Sequence, residues 1–349
     1  MKILAVVNQK GGCGKTTIAV NLAACLAAAG ERVLLVDMDP QGHLSIALGV
    51  NGDELEVTTY NALTDYEKDI APLSQALVEA DDNLWLAPSN ILLSAIEQQL
   101  GGKKGREDRL RQCLAEMVPS YDFCIIDSPP SVGLLTIKAL RAAQVVLIPI
   151  DMSRFSLHGI YKLLDTINVL CSRTSHSIRA CIVANMFDSR TNFSKHLLSA
   201  LREDFGEALC STVIHRTVKL AEAAMHGLPI RKYIPYSGAH NDFADLAMEL
   251  ATDPTLFDTP APFPARVLFS YFAPDAREVA LAGEFNNWRP SKQYKLVKEK
   301  DGKWSLSIPL APGKYQYKFI VDGEWREDPA NPNLEIGDLG QKNSVLDVS

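Results

Sequence analysis

The sequence predicts two folds in series: an α/β domain on a mostly parallel, doubly wound sheet, then a small all-β, immunoglobulin-like sandwich. Three observations carry this. Over residues 1–251, short continuous apolar runs alternate with helical patterns, as expected of strands buried on both faces with helices between them. Residues 252–264, TDPTLFDTPAPFP, hold four prolines and no periodicity, the mark of a semi-extended linker. Beyond it the pattern changes to short strands broken by turn residues, as in a sandwich. The expected division is 1–251, a Pro-rich linker at 252–263, and 264–349.

The elements of the first domain follow in order. Residues 3–7 are a strand, and 16–29 are a helix that stops at Gly30. A second strand, 32–36, runs into Asp37-Met38-Asp39-Pro40. Residues 84–87 form a short strand and 106–117 an amphipathic helix. A strand at 123–126 ends in Asp127-Ser128-Pro129-Pro130, and further strands are expected at 144–150, 178–183 and 211–214. Ligands of such sheets sit at the carboxyl ends of the strands. In the second domain, strands are expected at 266–272, 278–283, 293–298, 304–309 and 313–321, with hairpin turns at Asp301-Gly302 and Asp322-Gly323.

Composition limits the function classes. A chain of 349 residues is too long for one ordinary domain. Net charge is −7, and the excess lies in residues 1–263, with 23 basic and 30 acidic side chains, while the remainder holds 12 of each. The first domain has no global basic field, so any DNA contact must come from a local patch. The seven cysteines are scattered without a CxxC pair, and the seven histidines lack metal-ligand spacing, which points to reduced core thiols. No apolar stretch approaches a membrane span, and the chain opens directly on a strand. A cytoplasmic protein without signal peptide or membrane contact is expected.

The chemistry starts at residues 8–17, NQKGGCGKTT. A strand, a glycine-rich turn and a helix N-terminus together make a nucleoside-triphosphate site. Backbone N–H groups of Gly11, Gly12, Cys13 and Gly14 can approach phosphate oxygens, and the helix dipole adds positive potential. Lys15 would neutralise the β- and γ-phosphates. Thr16 would place its hydroxyl on Mg²⁺, with Thr17 beside it.

The pattern departs from the ordinary phosphate loop, because Gln9 stands where a glycine is expected and a second lysine, Lys10, follows. This KGGxGKTT pattern resembles the deviant Walker A motif of the ParA/MinD family of dimerising ATPases. The resemblance implies that Lys10 reaches across a dimer to the partner's ATP. DMDPQG (37–42) resembles the family's second block, which implies that Asp39 organises the attacking water and the Mg²⁺ shell. FCIIDSPPSVGLLT (123–136) resembles its Walker B segment, which implies that Asp127 holds Mg²⁺ through water. VANMFDSRTN and STVIHRTVKLAEAAMHGLPI resemble later blocks, placing Asn185 near adenine and Arg190, Arg216 and Lys219 where nucleoid-binding members contact DNA phosphates. One block differs. The family's IPVQ-x-E is here IPIDMS (148–153), with Asp151 and Ser153. That leaves nucleotide binding intact and bears on the control of hydrolysis.

Residues 280–349, with ALAGEFNNWRP, PGKYQYKFIVDGEWREDP and LGQKNSVLDV, resemble the glycogen-binding domain of the AMP-activated kinase β subunit, carbohydrate-binding module family 48. The resemblance implies an α-glucan platform of Trp288 and Trp325. It also implies hydroxyl-binding Lys318 and Asn343, and an inserting Leu339. Gln341 replaces a small hydroxyl residue. An indole suits the apolar face of a pyranose while keeping a polar N–H. Trp304 fits a core position, whereas Trp288 and Trp325 follow Asn-Asn and Asp-Gly-Glu, which are loop contexts.

These readings imply a slow ATPase using ATP and Mg²⁺, with Lys10, Lys15 and Asp39 as its catalytic residues. It would be a homodimer in the ATP state that positions cargo, with non-specific DNA binding, a glucan-binding domain and an unidentified protein that stimulates hydrolysis. Two alternatives stay open: a nucleotide-switched regulator of glycogen metabolism without DNA binding, and an adaptor whose β domain docks protein.

Overall fold

The computed structural model describes residues 1–349 except 65–69, 154–155, 175, 254, 258–264, 292–293, 300, 311–312, 338–339 and 349. The chain divides into two compact units, Met1–Ala261 and Pro262–Ser349.

The first unit is built on an eight-stranded sheet. Its strands are β1 (Lys2–Val6), β2 (Val33–Asp37), β3 (Val78–Asp81), β4 (Leu84–Ala87), β5 (Phe123–Asp127), β6 (Val145–Asp151), β7 (Arg179–Phe187) and β8 (Leu209–His215), in the order β3-β4-β2-β5-β1-β6-β7-β8. Only β3 runs antiparallel, as a hairpin partner of β4. The sequence reading missed it because VEAD is short, half polar and half exposed. Every residue of β2 and β5 is buried, which is why these strands read as continuous apolar runs.

Helix α1 (Lys15–Ala28) follows the glycine turn and is buried along nearly its whole length, from Ile18 to Ala27. A helix apolar all round belongs in a core, and α1 lies in the main cluster with β1, β2, β5 and Phe243, Leu246 and Leu250 of the helix Gly238–Thr252. The expected helix at 106–117 is a 3₁₀ turn, Arg106–Asp108, followed by Arg109–Ala115. The segment read as a linker begins inside this unit: the last helix runs to Thr252, and Leu256 and Phe257 are buried in its core.

The second unit has two antiparallel sheets around one core, a small β sandwich. One sheet joins β9 (Ala265–Phe272), β11 (Val297–Lys298) and β12 (Lys303–Leu310) in the order β11-β12-β9. The other joins β10 (Val279–Gly283), β13 (Gly313–Val321), β16 (Lys342–Val348) and β15 (Leu334–Ile336), with β14 (Glu324–Arg326) on β13. The Asp322-Gly323 turn is as expected: Val321 pairs with Glu324, and both turn residues have positive φ, 49° and 89°, the twist a two-residue hairpin needs. The strand expected at 293–298 shrinks to Val297–Lys298. The three strands of the C-terminal stretch, β14 to β16, were not separated in the sequence because they are short or largely polar.

Along β13 the two faces divide the work. Tyr317, Phe319 and Val321 join the core with Phe269, Tyr271, Leu281 and Trp304. Gln316 and Lys318 point to the opposite face. Trp304 is a core residue, with Nε1 donating to the Ala273 carbonyl at 2.8 Å. Phe319 is fully buried, so Phe319→Ala should cost the second unit about 3–5 kcal/mol. Thermal unfolding of the full chain should show one transition lowered while that of the first unit is unchanged; an unchanged melt would contradict this packing.

Candidate functional site

The register of the parallel sheet assembles the first site. Val6 pairs with Asp127 across β1 and β5, and Asp37 pairs with Asp127 across β2 and β5. On the other side of β1, Asp151 at the end of β6 pairs with Asn185 in β7. The chain leaving β1 follows β6: the Val7 amide donates to the Leu147 carbonyl at 3.0 Å and Asn8 Nδ2 donates to the Pro149 carbonyl at 2.7 Å. It then turns back through Gly11–Gly14 into α1.

Gly12 and Gly14 have φ of 74° and 90°. At Gly14 a Cβ would lie 2.3 Å from Asn185 Nδ2, so both backbone and space require glycine. Asn185 Nδ2 donates to the Cys13 carbonyl at 2.7 Å. The side chain expected near adenine is here bonded to the phosphate loop, a contact that spacing along the chain could not show. Lys15 is buried, and its Nζ donates to the Lys10 carbonyl at 3.3 Å, so the ammonium lies folded over the loop.

Thr16 Oγ1 donates to Asp127 Oδ2 at 2.6 Å. Asp127 is fully buried, and its Oδ1 has no hydrogen-bond partner among the described residues. Burial pushes its carboxyl up to about 8, Asp37 and Asp39 add repulsion, and the Thr16 hydrogen bond and Lys15 charge oppose. Asp37 is pushed up to about 6, again chiefly by burial. It accepts from Ser45 N and Oγ at 3.0 and 2.8 Å and from Asp39 N at 3.1 Å. Asp37 therefore pins the loop that carries Asp39, whose Oδ1 accepts from the Gln41 amide at 3.0 Å.

An orphaned carboxylate oxygen beside a threonine hydroxyl, facing a glycine cradle and a lysine, fits a Mg²⁺-bound triphosphate. Thr16 would contact the cation, and Asp127 and Asp39 would act through its water shell. Among the described residues no group of three or more His, Cys, Asp or Glu side chains is placed to hold a metal ion.

Lys10 does not project from the loop in this single chain. Its Nζ meets Asp151 Oδ2 at 2.6 Å and Ser153 Oγ at 2.7 Å. Arg190, with a side chain 86% exposed, lies on Asp188, and Lys219 lies on Glu222, each at 2.8 Å. The Arg216 amide donates to the Phe187 carbonyl at 2.9 Å, which joins the loops after β7 and β8.

The second site is a cavity of about 540 Å³ lined by Glu284, Trp288, Gln316, Lys318, Trp325, Gly337, Gln341 and Asn343. It lies on the sheet face opposite the core. The Trp288 and Trp325 rings stand 6.2 Å apart at 41°. Trp288 has φ of 57° in a loop closed by Gly283 N to Asn286 Oδ1 (2.9 Å) and Trp288 N to Gly283 O (2.9 Å). Trp325 is on the short strand β14 rather than in a loop, and is 48% exposed. Lys318 and Asn343 are buried; Asn343 Nδ2 donates to Gln316 Oε1 at 2.8 Å. Among the described residues Asn343 Oδ1 and Gln341 Oε1 have no hydrogen-bond partner. Leu339 lies outside the described residues. Glu284, Gln316 and Gly337 were missed in the sequence; only the strand alternation around Lys318 could have pointed to Gln316.

Fold and site define a P-loop ATPase. Residues 1–180 match the family model described as an AAA domain, and residues 266–349 match the glycogen recognition site of AMP-activated protein kinase. The sporulation initiation inhibitor protein Soj of Bacillus subtilis (strain 168) is 40% identical over 253 residues, covering 72% of this chain and 99% of that protein. The chromosome partitioning protein ParA of Myxococcus xanthus is 38% identical over 251 residues, covering 71% and 87%. Among solved structures, cobyrinic acid a,c-diamide synthase from Mycobacterium smegmatis with bound ATP analog and magnesium superposes with a TM-score of 0.62 at 32% identity, covering 74% of this chain and 99% of that one. A Cyanothece McdA variant in complex with ATP gives 0.63 at 25% identity, covering 72% and 96%.

The chain belongs to the ParA/MinD family of P-loop ATPases. It is an ATPase with ATP and Mg²⁺ as cofactors, and it carries a glycogen-recognition domain at its C-terminal end. Among the described residues no helix is long and apolar enough to cross a membrane.

The raised Asp127 carboxyl has a pH consequence. A group with a raised folded-state pKa stabilises the apo fold at low pH, and that contribution is lost as pH rises from the ordinary carboxylate range to about 8. A cation near Asp127 must displace its proton. Mg²⁺·ATP binding should therefore release a proton at about pH 7 and tighten as pH rises toward about 8. Calorimetry in two buffers of different ionisation enthalpy measures this; no release at about pH 7 would contradict it.

Proposed function

We propose that this protein is an ATP-dependent dimerising switch that positions α-glucan-bearing cargo. In this reading ATP and Mg²⁺ at residues 11–17, Asp39 and Asp127 close two copies together, with each Lys10 engaging the partner's nucleotide. Hydrolysis is slow, is stimulated by a protein partner, and reopens the pair. The second unit holds the glucan. The observation that carries the reading is the presence in one chain of a phosphate loop bearing Lys10 and a cavity walled by two tryptophan rings.

The chemistry of the cavity supports a neutral, hydroxyl-rich ligand. Its size suits a small-molecule site. Indole faces take sugar C–H surface. Asn343 Oδ1 and Gln341 Oε1, which have no partner among the described residues, are acceptors for hydroxyl donors, and Lys318, whose ammonium lies 3.5 Å from Glu327 Oε1, also lines the cavity.

Arg190 and Arg216, on adjoining loops, and Lys219 supply the local basic patch that non-specific DNA binding requires. The pairing of Arg190 with Asp188 and of Lys219 with Glu222 favours a second reading, a nucleotide-switched regulator of glycogen metabolism that leaves DNA alone. ATP-dependent DNA retention, lost in Arg190→Ala/Arg216→Ala, decides between them.

Glycogen co-sedimentation tests the glucan assignment. Wild-type protein should pellet with glycogen, and Trp288→Ala/Trp325→Ala should bind at least about tenfold more weakly, a loss of ~1.4 kcal/mol. Trp304→Phe, at a core position, should still pellet. Equal pelleting of the double variant would remove the platform, and no pelleting of wild type would turn the search to protein ligands.

A further inference from the structure

The block in which this chain departs from its family touches the lysine that distinguishes the family. Asp151 ends β6, the strand alongside β1, and the phosphate loop leaving β1 tracks β6 through the Asn8 contact to Pro149. That path brings Lys10 against the end of β6. Its ammonium meets Asp151 Oδ2 at 2.6 Å and Ser153 Oγ at 2.7 Å. A tight turn, Ser153 N to Asp151 O at 2.7 Å, sets the two acceptors side by side.

The backbone of Lys10 is held separately from its side chain. Its amide donates to Asn8 Oδ1 at 2.9 Å, and its carbonyl accepts from Lys15 Nζ at 3.3 Å and from Cys13 Sγ at 3.2 Å. The side chain can swing away without disturbing the loop that cradles phosphate. The Lys10 side chain is 39% exposed and that of Asp151 16%. The pair is wet enough to open and sheltered enough to compete with another anion.

We propose that Asp151 and Ser153 are positioning residues that latch Lys10 within its own subunit and thereby set the threshold for ATP-dependent dimerisation. The inference rests on the dimerising-switch reading above, in which Lys10 serves the partner's nucleotide. A lysine on Asp151 is withdrawn from that task. Both copies must release their lysine before the pair closes, so the cost enters twice. A shift of about threefold in the open fraction of each subunit becomes about tenfold in the dimer constant. The triphosphate supplies the competing negative charge, which makes release nucleotide-dependent.

The test uses the full chain as wild type, Asp151→Asn and Ser153→Ala, with two readouts. The first is the rate at which an amine-reactive reagent labels Lys10 in the nucleotide-free monomer, followed by mass spectrometry. The second is the dimerisation constant with Mg²⁺ and a slowly hydrolysed ATP analogue, from sedimentation velocity. Asp151→Asn should label Lys10 about threefold faster or more and dimerise about tenfold more tightly, with a smaller effect in Ser153→Ala. All three should stay monomeric with ADP. Rescue of the wild-type threshold by Asp151→Glu would separate the charge from mere shape. Unchanged labelling, or faster labelling with unchanged or weaker dimerisation, would overturn the latch while leaving the switch standing. Absence of ATP-dependent dimers in every variant would overturn the switch itself, and the latch's role with it.

Discussion

The alignment of strand ends governs the first unit. Val6, Asp37 and Asp127 stand in one row across β1, β2 and β5. Asp151 and Asn185 form a second row across β6 and β7. A one-residue slip in any strand would turn its terminal side chain to the other face of the sheet. The continuous apolar strands and the buried α1 fix that register, and the register fixes the chemistry. Two buried carboxyls, Asp37 and Asp127, are held close enough to repel each other. The apo protein tolerates them by protonation and by the Ser45 and Thr16 hydrogen bonds. A cation with its phosphates relieves the same strain, so nucleotide binding and fold stability draw on one electrostatic site.

The second unit uses its sheet differently. One face of β13 makes the core through Tyr317, Phe319 and Val321, and the other presents Gln316 and Lys318 to a cavity. The Asp322-Gly323 turn and the positive-φ loop at Asn287 and Trp288 place an indole on each side of that face. The cavity is thus built from outward positions that contribute little to the sandwich's own core. That separation keeps the cavity residues out of the packing that holds the sandwich together.

Much of this was readable in the sequence, and the physical reasons are particular. The strands 84–87 and 313–321 coincide with their expected limits because apolar alternation or continuity is bounded by clear turn residues. The phosphate loop was readable because it needs glycine, lysine and threonine at fixed spacing. The edge strand β3 and the exposed three-residue strands β14 and β15 were not, since so short a run carries no periodic signal, and β16 was missed because the polar Asn343 and Ser344 hold two of its buried positions. Contacts between distant segments were also invisible. Asn185 on the Cys13 carbonyl, and Lys10 on Asp151, depend on which strands are neighbours rather than on local pattern. The sequence showed that residues 148–153 differ from the family; the fold shows that the difference lies against Lys10.

In the proposed function, nucleotide state in the first unit governs where a glucan bound by the second is retained. The most direct measurement places fluorescent glycogen particles and the full-length protein over a DNA-coated surface under flow, with Mg²⁺ and either ATP or ADP. The account predicts that particles are held with ATP and released when ADP replaces it. Particles that behave alike in both nucleotides would contradict it, whether they bind throughout or never bind.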